Sequence, residues 1–240
     1  MATISENIQQ LRGRMGLACE QASRPVHSVT LLVVTKTFPA EDVRAAFQAG
    51  EHRFGENYVQ EGIDKIAALA DIRAQVEWHM IGPLQSNKTR VVAEHFDWVH
   101  SVDRLKIAQR LSDQRPAHLP PLQICLQVNI SGETSKSGLT PEELPAIARE
   151  VAALPHLQLR GLMAIPEPAD TLDAQRQPHR ALARLLQQLN QDGLALDTLS
   201  MGMSADLEAA ILEGATLVRV GSAIFGQRPS SAAQAAATAP

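Results

Sequence analysis

Seven residues fall at or near the expected C-terminal ends of short apolar runs: Lys36, Asn57, His79, Asn129, Met163, Ser200 and Arg219. Lys36 closes the stretch Leu31 to Thr35, and a lysine at the end of a buried run is rare unless its ammonium has a task. Burial favours the neutral amine, and a neutral amine condenses with a carbonyl. The plainer alternative is a lysine that snorkels at the rim of the sheet. Near the far end of the chain, Gly202 and Gly221 permit close backbone approach, and Ser200 and Ser222 offer hydroxyls. Such groups beside a helix start make a phosphate cradle. Ser204 is expected to cap the helix that Asp206 opens. Arg219 lies inside an apolar strand and needs a partner there. That partner is either a ring nitrogen of a ligand or a carboxylate on a neighbouring strand. A carbonyl-seeking amine and a phosphate cradle together suggest a phosphorylated aldehyde.

The elements that would position these groups alternate along the chain. Ser5, followed by Ile8, Leu11, Met15 and Ala18, predicts a helix to about Gln21. Strands are predicted at 29–36, 53–57, 76–82, 98–102, 122–130, 157–165, 198–202 and 217–226, with helices between them. One helix is opened by Pro39 and Asp42 and closed by Gly50, and another starts at Pro141. Strand ends from Lys36 to Arg219 recur at about 26 residues, close to the roughly 30 of a ~250-residue barrel. The expected fold is α/β, a single (β/α)8 TIM barrel with an extra N-terminal helix; an open doubly wound sheet is the rival. Residues 1–228 form the barrel domain, and the Ala/Ser/Pro-rich 229–240 is expected to be a disordered low-complexity tail.

Composition narrows the function. The 240 residues carry a net charge of -4 and 3% aromatics, which argues against a nucleic-acid binder. Cys19 and Cys125 are isolated and read as reduced thiols of a cytoplasmic protein. The N-terminus lacks the apolar core of a signal peptide, and no apolar run is long enough to cross a bilayer. The histidines have no ligand-like spacing, so no metal site is expected.

Pyridoxal 5′-phosphate (PLP) satisfies both demands of the strand-end residues, and an arginine at its ring nitrogen would weaken the ring as an electron sink. The segments 55-GENYVQE-61, 78-WHMIGPLQSNK-88, 128-VNISGETSKSG-138, 200-SMGMSADLEAAI-211 and 218-VRVGSAIFG-226, in this order after Lys36, resemble the YggS/PROSC family of PLP homeostasis proteins. The resemblance covers about residues 1–228 and implies the barrel of the alanine racemase N-terminal domain. It implies that Lys36 is the Schiff-base lysine and that Ser200, Met201, Gly221 and Ser222 cradle the phosphate. It places Arg219 at the pyridine nitrogen and Asn57, His79 and Met163 along the cofactor. His79 has a second reading as a core histidine bonded to a carbonyl, and Lys136 reads either as a surface lysine or as a transient acceptor of PLP. Ser222 stands where the family often has threonine, which preserves the hydroxyl.

Three functions compete. A PLP carrier serves vitamin B6 homeostasis by buffering and delivery, has no catalytic residue, and passes PLP to apo forms of PLP-dependent enzymes; it is expected to be a monomer free of nucleic acid and membrane. A PLP-dependent amino-acid racemase needs an acid–base group on each face of the substrate carbon. In alanine racemase the second group is a tyrosine from another domain, and this sequence is expected to lack that domain. Its single tyrosine, Tyr58, lies in GENYVQE. A PLP-free Schiff-base aldolase needs a carboxylate or tyrosine near Lys36. Glu56 is the nearest, and alternation turns it away if Asn57 points inward. The carrier is the favoured reading.

Overall fold

The computed structural model describes residues 2–132 and 137–226. Eight parallel strands close in sequence order: β1 (Thr30–Val34), β2 (Arg53–Glu56), β3 (Glu77–Met80), β4 (Trp98–Val102), β5 (Leu122–Gln127), β6 (Leu157–Met163), β7 (Thr198–Ser200) and β8 (Leu217–Val220). Closure is made where β8 pairs with β1, with Leu32 opposite Arg219. The open-sheet alternative is thereby excluded. Helices α2 (Ala40–Gln48), α3 (Val59–Ala68), α4 (Thr89–His95), α5 (Leu105–Gln114), α6 (Leu144–Ala152), α7 (Leu172–Gln191) and α8 (Leu207–Leu212) form the crossovers.

The apolar strands are buried on both faces, as parallel strands between helices and a barrel interior must be. Leu31 and Val33 belong to the main core under the helices, whereas Leu32, Val34, Ile81 and Leu217 form a small cluster of their own. Barrel interiors are ordinarily filled by bulky aliphatic layers. Here four buried polar side chains on the strands, His79, His100, Ser200 and Arg219, bond to one another in a chain.

The predicted N-terminal helix is α1 (Ile4–Gln21), entered one residue earlier than Ser5. Thr3 is its cap, and Thr3 and Glu6 bond reciprocally, satisfying two backbone donors at once. Its buried stripe of Ile8, Leu11, Met15, Ala18 and Cys19 covers the barrel flank where α8 has only 6 residues. Arg14 bonds Glu208 at 2.8 Å and Asn7 bonds the Ile224 carbonyl at 2.7 Å, tying α1 to the last loops.

Several predicted boundaries move inward. The first strand stops at Val34 rather than Lys36, because Thr37 adopts φ 69 and the chain turns over Thr35–Thr37. The last stops at Val220, and Ser222–Phe225 form a helical turn, α9, instead of continuing the strand. The helix expected at Pro141 starts at Leu144, after a three-residue turn. The tail 229–240 and the loop with Lys136 lie outside the described residues.

Candidate cofactor site

The C-terminal ends of β1, β2, β3, β6, β7 and β8 open onto a cleft of about 660 Å³, its mouth included. Val34, Phe38, Ile81 and Ile165 make its apolar wall. Its polar lining is Lys36, Asn57, Ser204, Arg219 and Ser222. A second cleft, sharing Asn57, Ile81 and Ile165, continues past Asn129.

Lys36 is half-buried in the turn after β1, and both neighbours are clamped. The clamp is centred on Lys65 of α3, which is 6% exposed. Lys65 Nζ donates to the Thr35 carbonyl at 2.6 Å, to Glu56 Oε1 at 2.7 Å and to Glu61 Oε1 at 2.7 Å. Glu61 Oε1 also accepts the Thr37 amide at 2.5 Å, and Glu56 Oε1 accepts the Thr35 hydroxyl at 2.5 Å. One buried cation therefore fixes the backbone before and after Lys36. Burial pushes the Glu56 carboxyl up, against the opposing pull of Lys65 and the Thr35 hydroxyl. Glu56 faces α3 while Asn57 faces the cleft, as strand alternation requires.

Arg219, 4% exposed, enters the cleft from its floor. Nη1 donates to the carbonyl and hydroxyl of Ser200 at 2.5 and 2.7 Å, and Nη2 donates to the Ala164 carbonyl at 2.8 Å. These acceptors are a hydroxyl and two carbonyls, so the carboxylate named from the sequence as one alternative partner is not what meets it among the described residues. Burial lowers its pKa to about 10, with the charge of Asp206 pulling the other way.

The Ser200 hydroxyl expected in the phosphate cradle is instead bonded to Arg219 and His100 beneath the site. The hydroxyls at the mouth are Ser204 and Ser222, 3.0 Å apart. Ser204 does not cap α8. The cap position is Asp206, whose carboxylate accepts the Met203 amide at 2.7 Å and lies 2.9 Å from His179 Nε2. Gly202 takes φ 93, and a side chain on it would meet the Ala210 Cβ at 2.6 Å; at Gly221 a Cβ would meet the Val34 carbonyl at 2.7 Å. Both loops are thereby packed tightly against the barrel end. Past Gly221 the turn of α9 begins, and the leading amides of a helical turn have no acceptor within it.

Of the nine residues the sequence assigned to the site, Lys36, Asn57, Arg219, Gly221 and Ser222 converge on the cleft. His79, Met163, Ser200 and Met201 are fully buried and do not line it. His79 stacks on Trp98, with ring centroids 5.3 Å apart and planes at 13°, rather than reaching the cleft. Sequence reasoning missed Ser204 as a lining group by giving its hydroxyl to a helix cap. It also missed Phe38, and the Lys65 clamp, whose one signal was the i,i+4 spacing of Glu61 and Lys65.

Comparison with known proteins places this geometry. The model for "Alanine racemase, N-terminal domain" matches residues 2–229. A "Pyridoxal phosphate homeostasis protein" of Pseudomonas aeruginosa PAO1 is 61% identical over 228 residues, covering 95% of this chain and 97% of that protein. The chain belongs to the pyridoxal phosphate homeostasis protein family. PipY of Synechococcus elongatus PCC7942, solved with PLP bound, superposes with a TM-score of 0.81 at 37% identity, covering 93% of this chain and 100% of that one. An alanine racemase of Clostridium difficile 630 shares the fold with a TM-score of 0.70 at 16% identity, over 94% of this chain and 58% of that one.

The residues present fit PLP. Asn57 Oδ1 is buried with no hydrogen-bond partner among the described residues, and such an atom is costly unless a ligand donor meets it. The amine, the guanidinium and the paired hydroxyls around one cleft match an aldehyde, a ring nitrogen and a phosphate. The double variant Ser204→Ala, Ser222→Ala is expected to release PLP about tenfold to hundredfold faster, from two lost hydroxyl contacts at ~1 kcal/mol each. Release measured by transfer to a scavenging apo-enzyme checks this, and release at the wild-type rate would place the phosphate elsewhere.

Proposed function

We propose that this chain binds PLP, holds it as a Schiff base on Lys36, and serves PLP homeostasis by buffering and delivery rather than by turnover. The observation that carries the reading is the ionisable lining of the cleft, which among the described residues is Lys36 and Arg219 alone. Lys36 presents the amine from its clamped turn, Arg219 presents a guanidinium from the floor, and Ser204 and Ser222 with the turn at Gly221 present donors for a phosphate. The cofactor, once bound, supplies an electrophilic carbon to which an amine attaches reversibly.

Arg219 supports holding over catalysis. A guanidinium opposite the ring nitrogen leaves that nitrogen unprotonated and the ring a weaker electron sink. The relatives' printed name and the PLP carried by PipY support the same reading. Acceptors of the delivered PLP would be apo forms of PLP-dependent enzymes, met in the cytoplasm; among the described residues no helix is long and apolar enough to cross a membrane.

The shared fold keeps a racemase as the second reading. Two-base chemistry needs a second acid–base group facing Lys36. Tyr58, the single tyrosine, is 59% exposed and does not line the cleft. The test is an absorption spectrum of the purified protein with PLP, followed by borohydride reduction and peptide mapping. A yellow protein with PLP fixed on Lys36, and no inversion of any amino acid, is the expected result. A protein that cannot be loaded with PLP would end the proposal.

A further inference from the structure

The cleft leaves unused a buried chain of hydrogen bonds below Arg219. Arg219 Nη1 lies 2.7 Å from Ser200 Oγ, Ser200 Oγ lies 2.7 Å from His100 Nδ1, and His100 Nε2 lies 2.9 Å from His79 Nδ1. His79 Nε2 then faces Glu77 Oε2 at 3.5 Å, longer than a hydrogen bond. Glu77 is half-exposed and paired with Arg53 on the N-terminal face of the barrel. The chain therefore runs from that face to the floor of the site.

Counting donors fixes its direction. A guanidinium only donates, so Ser200 Oγ accepts from Arg219, though a serine oxygen has room for a second donor. The Glu77 carboxylate at the other end only accepts, so the proton of His79 sits on Nε2. His79 Nδ1 then accepts from His100 Nε2, and His100 Nδ1 is left to accept the Ser200 proton. This assignment requires both rings to be neutral. Burial pushes both down, against the pull of Glu77 on His79, and His100 lies well below its ordinary value, a proton on it being further opposed by one on His79 and by the Arg219 charge.

We propose that His100 and His79 are positioning residues for Arg219, acting through Ser200. They draw the Ser200 proton away from the guanidinium, so that both Ser200 oxygens accept from Nη1 and the guanidinium stays aimed at the cleft. The role rests on the reading of Arg219 as the cation opposite the PLP ring nitrogen, but the tautomers follow from the chain alone.

Two measurements separate these. Nitrogen-15 NMR of labelled histidines, without added PLP, should show the neutral Nε2–H tautomer at both rings. Ser200→Ala should turn His100 into a mixture with the Nδ1–H form, and Ser200→Thr should not. An Nδ1–H ring in the wild type, or unchanged tautomers in Ser200→Ala, overturns the proposal. With PLP loaded, His100→Leu should shift the absorption band of the bound cofactor and speed its release roughly tenfold. His100→Gln, whose amide can both accept from Ser200 and donate to His79, should restore both values. Equal spectra and release for His100→Leu and the wild type overturn the positioning role. A wild type that takes up no PLP would instead defeat the binding reading, with the tautomer result still standing.

Discussion

Lys36→Ala is expected to eliminate covalent capture of PLP while leaving the barrel intact. Lys36 lies in the turn after β1 and in neither apolar cluster, so its truncation should change stability by about 1 kcal/mol or less. Borohydride treatment of the loaded variant should leave no cofactor attached to the polypeptide, against stoichiometric attachment in the wild type. The hydroxyls of Ser204 and Ser222 and the Arg219 guanidinium remain, so the variant should retain weak, dialysable PLP. A variant still carrying reduced cofactor would show that another amine serves. Racemisation in the wild type that disappears in the variant would favour the enzyme reading instead.

The architecture was open to sequence reasoning because its signals are local. Eight apolar runs, each followed by a helical period, specify a parallel sheet with crossovers, and their spacing allows closure. What failed to show was the use of particular polar atoms. Ser200 and Ser204 both occur in one Gly-containing loop, and no pattern tells which hydroxyl turns inward. In the structure Ser200, the last residue of β7, turns into the barrel interior, and its hydroxyl goes to Arg219 and His100. Ser204, beyond Gly202 with its positive φ, reaches the mouth. For His79 the sequence offers the core reading, but with a carbonyl rather than His100 as its partner. Strand alternation sends it inward, but only the register with Trp98 shows that its ring is stacked below the cleft. Lys36 was the opposite case, since a cation ending a buried run is conspicuous in the sequence itself.

Lys65→Met is expected to be the most damaging single substitution at the site, though Lys65 touches no ligand. It removes the cation from two carboxylates, one of them fully buried in Glu56. Breaking such a pair from one side leaves an uncompensated buried charge and costs about 3–5 kcal/mol. The loss should depend on pH with a definite sign. Burial already raises the Glu56 carboxyl, and Lys65 is the main influence lowering it, so the variant should raise it further. A carboxyl whose folded pKa exceeds its unfolded value holds a proton more tightly when folded. Stability then falls as pH rises from the ordinary carboxylate range through the raised folded value. The deficit of Lys65→Met should therefore be largest near neutral pH and shrink as pH falls through the raised folded values, where Glu56 becomes protonated in the folded form of both proteins. Denaturant unfolding of both proteins across that range measures it, and a pH-independent deficit would show that lost packing, not the stranded charge, is the cause. Because the same ammonium holds the Thr35 carbonyl and, through Glu61, the Thr37 amide, covalent capture of PLP on Lys36 should slow even at the acidic end. Where the unfolding curves show the variant folded, Lys36 itself is unchanged, so slower capture isolates the work of the clamp in aiming the amine.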